Sequence, residues 1–295
     1  MVAVAPPVQT VPEAPIARVE RLRSADGVPI AIETFGDANA PAVIFAHGFG
    51  QTRQAWSASA NTLAARGWKC VTTDARGHGD SGRRAPGEYG FPQFVDDLCA
   101  IAQAVGGNEK PVLIGASMGG LLGIAAQAEY DLFRALVLVD ITPRWETAGI
   151  ERILTFMRAH PDGFATLDEA ADAIAQYLPH RAERKSPERL RPLLTPQANG
   201  RLRWHWDPHL LDYVVANGPA QQEQLIASAR TIRVPTLLVS GTRSDIVSEA
   251  TIAEFLAMVP HAQHVRVENA THMVAGDRND AFTAAVAGFL ETLRA

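Results

Sequence analysis

The segment Val112-Leu113-Ile114-Gly115-Ala116-Ser117-Met118-Gly119-Gly120-Leu121 constrains this chain more than any other. An apolar burst of strand type ends in Gly-x-Ser-x-Gly and passes at once into small, helix-compatible residues. A strand-to-helix turn that sharp forces its central residue into a strained backbone conformation. The residues two positions either side must be nearly free of side chain, because strand and helix approach closely there. Gly115 and Gly119 meet that demand. Ser117 then stands at the tip with its hydroxyl exposed and the start of a helix behind it, the placement a nucleophile needs. The plainer alternative is an ordinary strand–turn–helix junction with an incidental serine, and the matching strand and helix context weighs against it.

The rest of the chain fits around this turn. Ile16–Ser24 and Val28–Phe35 read as an opening hairpin joined at Asp26-Gly27. Apolar runs recur at Ala42–Ala46, Trp68–Thr73, Val112–Gly115, Ala135–Val139, Val234–Ser240 and His264–Val267. Most are short, continuous and bounded by turn residues, as strands buried on both faces of a parallel sheet should be. Helical stretches such as Trp56–Arg66, Phe91–Val105 and Gly120–Glu129 lie between them. The alternation predicts a doubly wound α/β core with right-handed crossovers over residues 16–141 and 232–295. It breaks once, over residues 142–231, where no clear sheet strand appears. Helices are predicted there near Ala148–Arg158, Leu167–Tyr177, Pro187–Leu194 and Pro208–Val215. An insertion at this point sits above the strand ends, where open α/β sheets bind ligands, and reads as a helical lid.

Composition excludes several classes. The net charge is −5 and charged residues make up 20% of the 295, which gives no electrostatic case for nucleic acid or an anionic membrane. No apolar run approaches the length needed to span a bilayer. Residues 1–15 hold Pro6, Pro7, Pro12 and Pro15 and no basic residue, so they read as an extended arm and not a secretory signal. Cys70 and Cys99 read as buried small hydrophobes. The expectation is a cytoplasmic protein. Lys69, Lys110 and Lys185 against many arginines point to a GC-rich bacterial source.

A serine hydroxyl is a poor nucleophile unless a base takes its proton and a carboxylate orients that base. His272, just after the last expected strand, is the strongest base candidate. His78, in Arg76-Gly77-His78-Gly79-Asp80-Ser81-Gly82, is the nearest rival, although that segment reads as a structural loop. For the acid, chain order and loop position favour Asp245, directly after a strand, with Asp140 at the end of the preceding strand as its competitor. Attack on an acyl carbon also needs two backbone donors for the developing oxyanion. The N–H of Met118 at the helix start is one. The N–H of Phe49, in His47-Gly48-Phe49-Gly50 after another strand, is the other, with His47 bracing the loop.

These elements together resemble the α/β-hydrolase fold superfamily over essentially Ile16 to Ala295. The resemblance rests on His47-Gly48, the segment Asp74 to Ser81, the Ser117 turn, Asp245 and His272, and is nearest the esterase, lactonase and cofactor-free haloperoxidase branch. It implies a mostly parallel eight-stranded sheet flanked by helices, with the lid inserted after the sixth strand. It also implies a Ser117–His272–Asp245 triad, an acyl-enzyme and no cofactor. Serine at position 117 argues against haloalkane dehalogenase and epoxide hydrolase chemistry, whose members place Asp there. The lack of proline in residues 47–50 weakens a perhydrolase reading. Gln51-Thr52-Arg53 fits carbon–carbon bond hydrolases poorly, though Gly119-Gly120 would suit them.

Within the lid, Trp145, Trp204 and Trp206 read either as an aromatic wall for substrate or as packing, and Arg144 as a partner for a substrate carboxylate or as a solvated cation. Phe49 and Met118 are further candidates for the acyl pocket. His205 and His209 around Asp207 have metal-like spacing, but Pro208 interrupts it and no metal is expected. The expected activity is hydrolysis of a carboxylic ester or lactone of a small to medium apolar acid, with a small-molecule carbonyl substrate as the only partner beyond a homodimer. Amide or carbon–carbon bond hydrolysis, cofactor-free oxidation (haloperoxidase, perhydrolase or dioxygenase) and a ligand-sensing receptor remain alternatives.

Overall fold

The computed structural model describes residues 18–107, 109–179 and 186–294. The arm expected over residues 1–15 lies outside them, as do residues 16 and 17 of the expected first strand. Every expected sheet strand is present. They are β1 (Arg18–Arg23), β2 (Pro29–Phe35), β3 (Ala42–Ala46), β4 (Lys69–Thr73), β5 (Val112–Ala116) and β6 (Ala135–Val139), followed after an excursion by β9 (Thr236–Gly241) and β10 (Gln263–Val267). They form one eight-stranded sheet in the order β1-β2-β4-β3-β5-β6-β9-β10. β1 pairs antiparallel with β2, and β2 with β4, while every other pairing is parallel.

The period-two alternation of the central strands divides the core between the two faces of the sheet. Val43, Phe45, Val112, Ile114, Val137 and Val239 pack with α1 (Ser57–Ala64) and α9 (Asn279–Thr292) through Leu63, Phe282, Val286 and Leu290. Ile44, Leu113, Leu136, Leu138 and Leu238 face the other way, toward α2 (Phe91–Val105), α3 (Met118–Tyr130) and α7 (Glu249–Met258). Each such side chain, fully buried, contributes about 2 kcal/mol of transfer free energy. Strands covered on both faces must be apolar throughout, and β3, β6 and β9 are buried along their whole length.

The excursion between β6 and β9 holds α4 (Thr147–Arg158), α5 (Leu167–Tyr177), a 3-10 turn (Pro187–Leu193) and α6 (Leu210–Ala229). It also holds a small antiparallel hairpin, β7 (Leu194–Pro196) and β8 (Leu202–Trp204), which lies outside the main sheet and was not expected. Asn199-Gly200 supplies its turn, with Gly200 at φ +80°. The last helix was expected to stop at Val215 and instead runs through Gly218-Pro219 to Ala229, because Leu225, Ile226 and Ala229 bury themselves against the core. Among the described residues no helix is long and apolar enough to cross a membrane.

Candidate active site

Ser117 occupies the turn between β5 and α3 at φ +46° and ψ −115°. A non-glycine residue held there costs on the order of 1–3 kcal/mol. Its own backbone offsets that cost. Ser117 N–H donates to Val139 C=O at 3.1 Å, and Ser117 C=O accepts from Gly120 N–H at 3.0 Å and Leu121 N–H at 3.1 Å. A Cβ on Gly115 would lie 2.5 Å from Gly119 O, and one on Gly119 would lie 2.3 Å from Ala46 O. The close approach read from the sequence is therefore real at both glycines. Met118 opens α3, so its N–H belongs to the first turn, where no intrahelical acceptor exists.

His272 follows β10 on a loop tied down by Thr271, whose N–H and hydroxyl both donate to Asp277, at 3.0 and 2.6 Å. The partner of His272 is Asp140, not Asp245: His272 Nδ1 lies 2.9 Å from Asp140 Oδ2. Asp140 directly follows β6 at φ +49° and is fully buried. Its other oxygen accepts from Gly241 N–H at 2.8 Å, and the Ser244 hydroxyl donates to Oδ2. The loop after β9 thus supports Asp140 with Ser244 and turns Asp245 outward. There Asp245, about one-third exposed, pairs with Arg152 of α4 at 2.7 Å. Asp245 is corrected as the partner of the base. The expected chain order could not separate the two, since both aspartates lie between Ser117 and His272.

The loop 47–50 after β3 is held by three buried histidines. His47 Nδ1–H donates to Gly48 C=O at 2.8 Å while its Nε2 accepts from Ala75 N–H at 3.0 Å. His78 Nε2 accepts from Gly50 N–H at 3.2 Å, and its Nδ1–H donates to Arg76 C=O at 3.1 Å. His205 Nδ1 accepts from Gly79 N–H at 3.0 Å, and its Nε2–H donates to Gly50 C=O at 3.2 Å. Burial lowers the pKa of all three rings, His78 well below the ordinary value and His205 to about 4, so all are neutral near pH 7. The bracing role expected of His47 extends to His78 and His205. The Asp74–Ser81 segment is structural throughout: buried Asp74 pairs with Arg53 and buried Arg76 with Asp97 at 2.6 Å. Among the described residues the Phe49 N–H has no protein acceptor.

Two cavities meet at Ser117, sharing Phe49 and Ile153 in their walls. The larger, about 420 Å³, is lined by Met118, Leu121, Ile141, Trp145 and Phe94 among others. The other, about 360 Å³, is lined by His272, Met157, Tyr177, Trp204 and Trp206. Trp204 and Trp206 stack at 5.1 Å with planes 15° apart and are largely buried, so they pack and line a cavity at once. Arg144 lines neither cavity; it pairs with Glu254 at 2.8 Å and stays partly exposed, which sets it nearer the solvated cation of its two readings than the substrate partner. Asp207 accepts from the Tyr89 hydroxyl at 2.8 Å, and with the ring of His205 already bonded on both nitrogens, the metal-like spacing resolves into a clamp between excursion and core.

Sequence reasoning missed the clamp and set Asp140 second. The signal for Asp140 was its place immediately after the apolar run Ala135–Val139, the same signal that Asp245 carries after β9. The histidine clamp left none, because His78 and His205 stand well over a hundred residues apart in the chain.

A serine in a strained strand-to-helix turn, sharing a cavity wall with a loop histidine that is paired with a buried carboxylate, is the arrangement of the nucleophile-elbow class of α/β protein. The chain belongs to the alpha/beta hydrolase fold family, whose model matches residues 41–278. It is 31% identical over 257 residues to 3-hydroxybutyrate-oligomer hydrolase of Cupriavidus necator, covering 82% of this chain and 86% of that protein. It is 30% identical over 292 residues to the esterase Rv0045c of Mycobacterium tuberculosis, covering 94% and 91%. In structure it resembles E-2-(acetamidomethylene)succinate hydrolase with TM-score 0.80 at 22% identity, over 93% of this chain and 99% of that one. It is a hydrolase by family.

Proposed function

We propose that this chain hydrolyses carboxylic esters, lactones included, through Ser117, His272 and Asp140. The observation that carries the reading is the 2.9 Å contact of His272 Nδ1 with buried Asp140, beside a cavity that His272 lines together with Ser117. The esterase and the 3-hydroxybutyrate-oligomer hydrolase among its relatives support the ester bond as target.

Asp140 accepts the Nδ1–H of His272, which leaves Nε2 free to take the Ser117 proton as Oγ attacks the ester carbonyl. The oxyanion forms against the N–H groups of Phe49 and Met118, each worth about 3 kcal/mol in the transition state. His272 then returns the proton to the leaving alcohol, so the alcohol departs on the His272 side, through the 360 Å³ cavity. The acyl group remains in the apolar 420 Å³ cavity on the Met118 side. Water enters where the alcohol left and attacks the acyl carbon as His272 takes its proton. That proton passes to Ser117 Oγ as the ester bond to the enzyme breaks and the acid is released. The segment 142–231 acts as the lid, since Trp145, Ile153, Trp204 and Trp206 roof both cavities.

The test is hydrolysis of p-nitrophenyl esters from acetyl to palmitoyl, with several lactones, by the wild type and Ser117→Ala. Turnover should fall by about 10⁴-fold or more in the variant while the fold persists. Residual activity within tenfold of wild type would remove Ser117 from the mechanism.

A further inference from the structure

We propose that His205, carried by the excursion and not by the core, is a positioning residue for the oxyanion loop. It would hold Gly50 so that the Phe49 N–H keeps its setting toward the substrate oxygen. The inference rests on the ester-hydrolase reading above.

Phe49 N–H shares a rigid peptide plane with Gly48 C=O, so whatever fixes that carbonyl fixes the direction of the amide. His47 holds the carbonyl, and Gln51 Oε1 accepts from Gly48 N–H at 3.1 Å. On the far side of Phe49, Gly50 stands at φ +76°, a glycine with freedom to turn. Both of its polar groups are taken, the N–H by His78 and the C=O by His205. The rings follow one another, with centroids 5.0 Å apart from His47 to His78 and 6.0 Å from His78 to His205. His205 has one tautomer: Gly79 N–H donates to Nδ1, so the ring proton sits on Nε2 and reaches Gly50 C=O. The ring is 3% exposed, so water does not readily replace it. The core therefore supplies two clamps, and the third arrives only with the excursion in place.

The two nitrogens can be separated by substitution. In His205→Gln the side-chain amide nitrogen falls near the Nε2 position and keeps a donor for Gly50 C=O, while the Gly79 contact is lost. In His205→Asn the amide oxygen falls near Nδ1 and keeps the acceptor for Gly79 N–H, while Gly50 C=O loses its donor. A positioning role predicts that kcat falls about tenfold in the Asn variant with KM within about twofold, because a displaced oxyanion donor is felt in the transition state. The Gln variant should retain kcat within about twofold, while both variants lose similar thermal stability. Equal kcat in the two variants, or a larger loss in the Gln variant, would overturn the role.

Ser117→Ala on the same substrate separates the two possible failures. Activity surviving there overturns the serine reading and the loop role with it. A dead Ser117→Ala beside equal Asn and Gln variants overturns the positioning role alone. If the Asn variant does not fold, ¹⁵N-histidine NMR of the wild type decides. His205 should show the Nε2–H tautomer, with a resonance that moves when a phosphonate forms its tetrahedral adduct at Ser117. An Nδ1–H tautomer, or a resonance that stays put, would overturn the proposal.

Discussion

At the scale of single residues, the choice between Asp140 and Asp245 turns on one hydroxyl and one guanidinium. Ser244 donates to Asp140, and Arg152 takes up Asp245, so the loop after β9 serves one aspartate and exposes the other. Asp140→Asn should lower kcat on the order of 10³- to 10⁴-fold, because an amide cannot hold the imidazole in the same tautomer. Asp245→Asn should stay within about threefold, since a partly exposed ion pair is worth under about 1 kcal/mol. Steady-state kinetics of the two variants on one ester checks both, and the reverse ranking would return the acid to Asp245. The places of Ser117 and His272 were legible because one stands in a strand-to-helix turn marked by Gly115 and Gly119 and the other on the loop that follows the last strand. Asp140 was legible only as a rival, since side-chain direction at a strand end depends on neighbours far away in the chain. The choice between the two readings of Arg144 was open for the same reason: its partner Glu254 lies on α7, which nothing local to Arg144 announces.

At the scale of elements, periodicity marked what it could and missed what tertiary packing decides. The ranges Phe91–Val105 and Leu167–Tyr177 were legible to the residue, and all the sheet strands were found. The β7–β8 hairpin was missed because three-residue strands are too short to show alternation. The continuation of α6 was missed because Gly218-Pro219 reads locally as a stop, and burial of Leu225 and Ile226 outweighs it. The β5–α3 turn carries the sharpest expectation. Gly119→Ala puts a methyl 2.3 Å from Ala46 O, where only backbone could yield. It should cost about 3 kcal/mol or more, and so about 6 °C or more in Tm. Gly288→Ala in α9 meets nothing within 4 Å and should gain about 0.5–1 kcal/mol. Thermal melts of the pair would refute the close approach if Gly119→Ala melted with the wild type.

At the scale of the whole molecule, three neutral histidines buried between core and excursion make stability depend on pH. An unfolded histidine takes up a proton near pH 6.5, whereas His205 in the fold resists until about pH 4. Between those values the unfolded state binds more protons, so stability rises with pH and falls on acidification. His205 alone should contribute about 3 kcal/mol of that loss, with His47 and His78 adding in the same direction. Tm measured from pH 7 to pH 4 should fall, with a shallower slope in His205→Gln; a flat profile would contradict the neutral cluster. The junction at Ser117 has a kinetic corollary as well. With the halves of a substrate divided between the two chambers that meet at Ser117, as the proposed mechanism has them, the acid half stays lodged while the alcohol half vacates its own room. On the proposed chemistry, that vacancy is open to competition: a small added alcohol occupying it would intercept the acyl group ahead of water. The chain would then act as an ester exchanger whose product ratio, exchange against hydrolysis, reports how well each guest fits beneath Trp204 and Trp206.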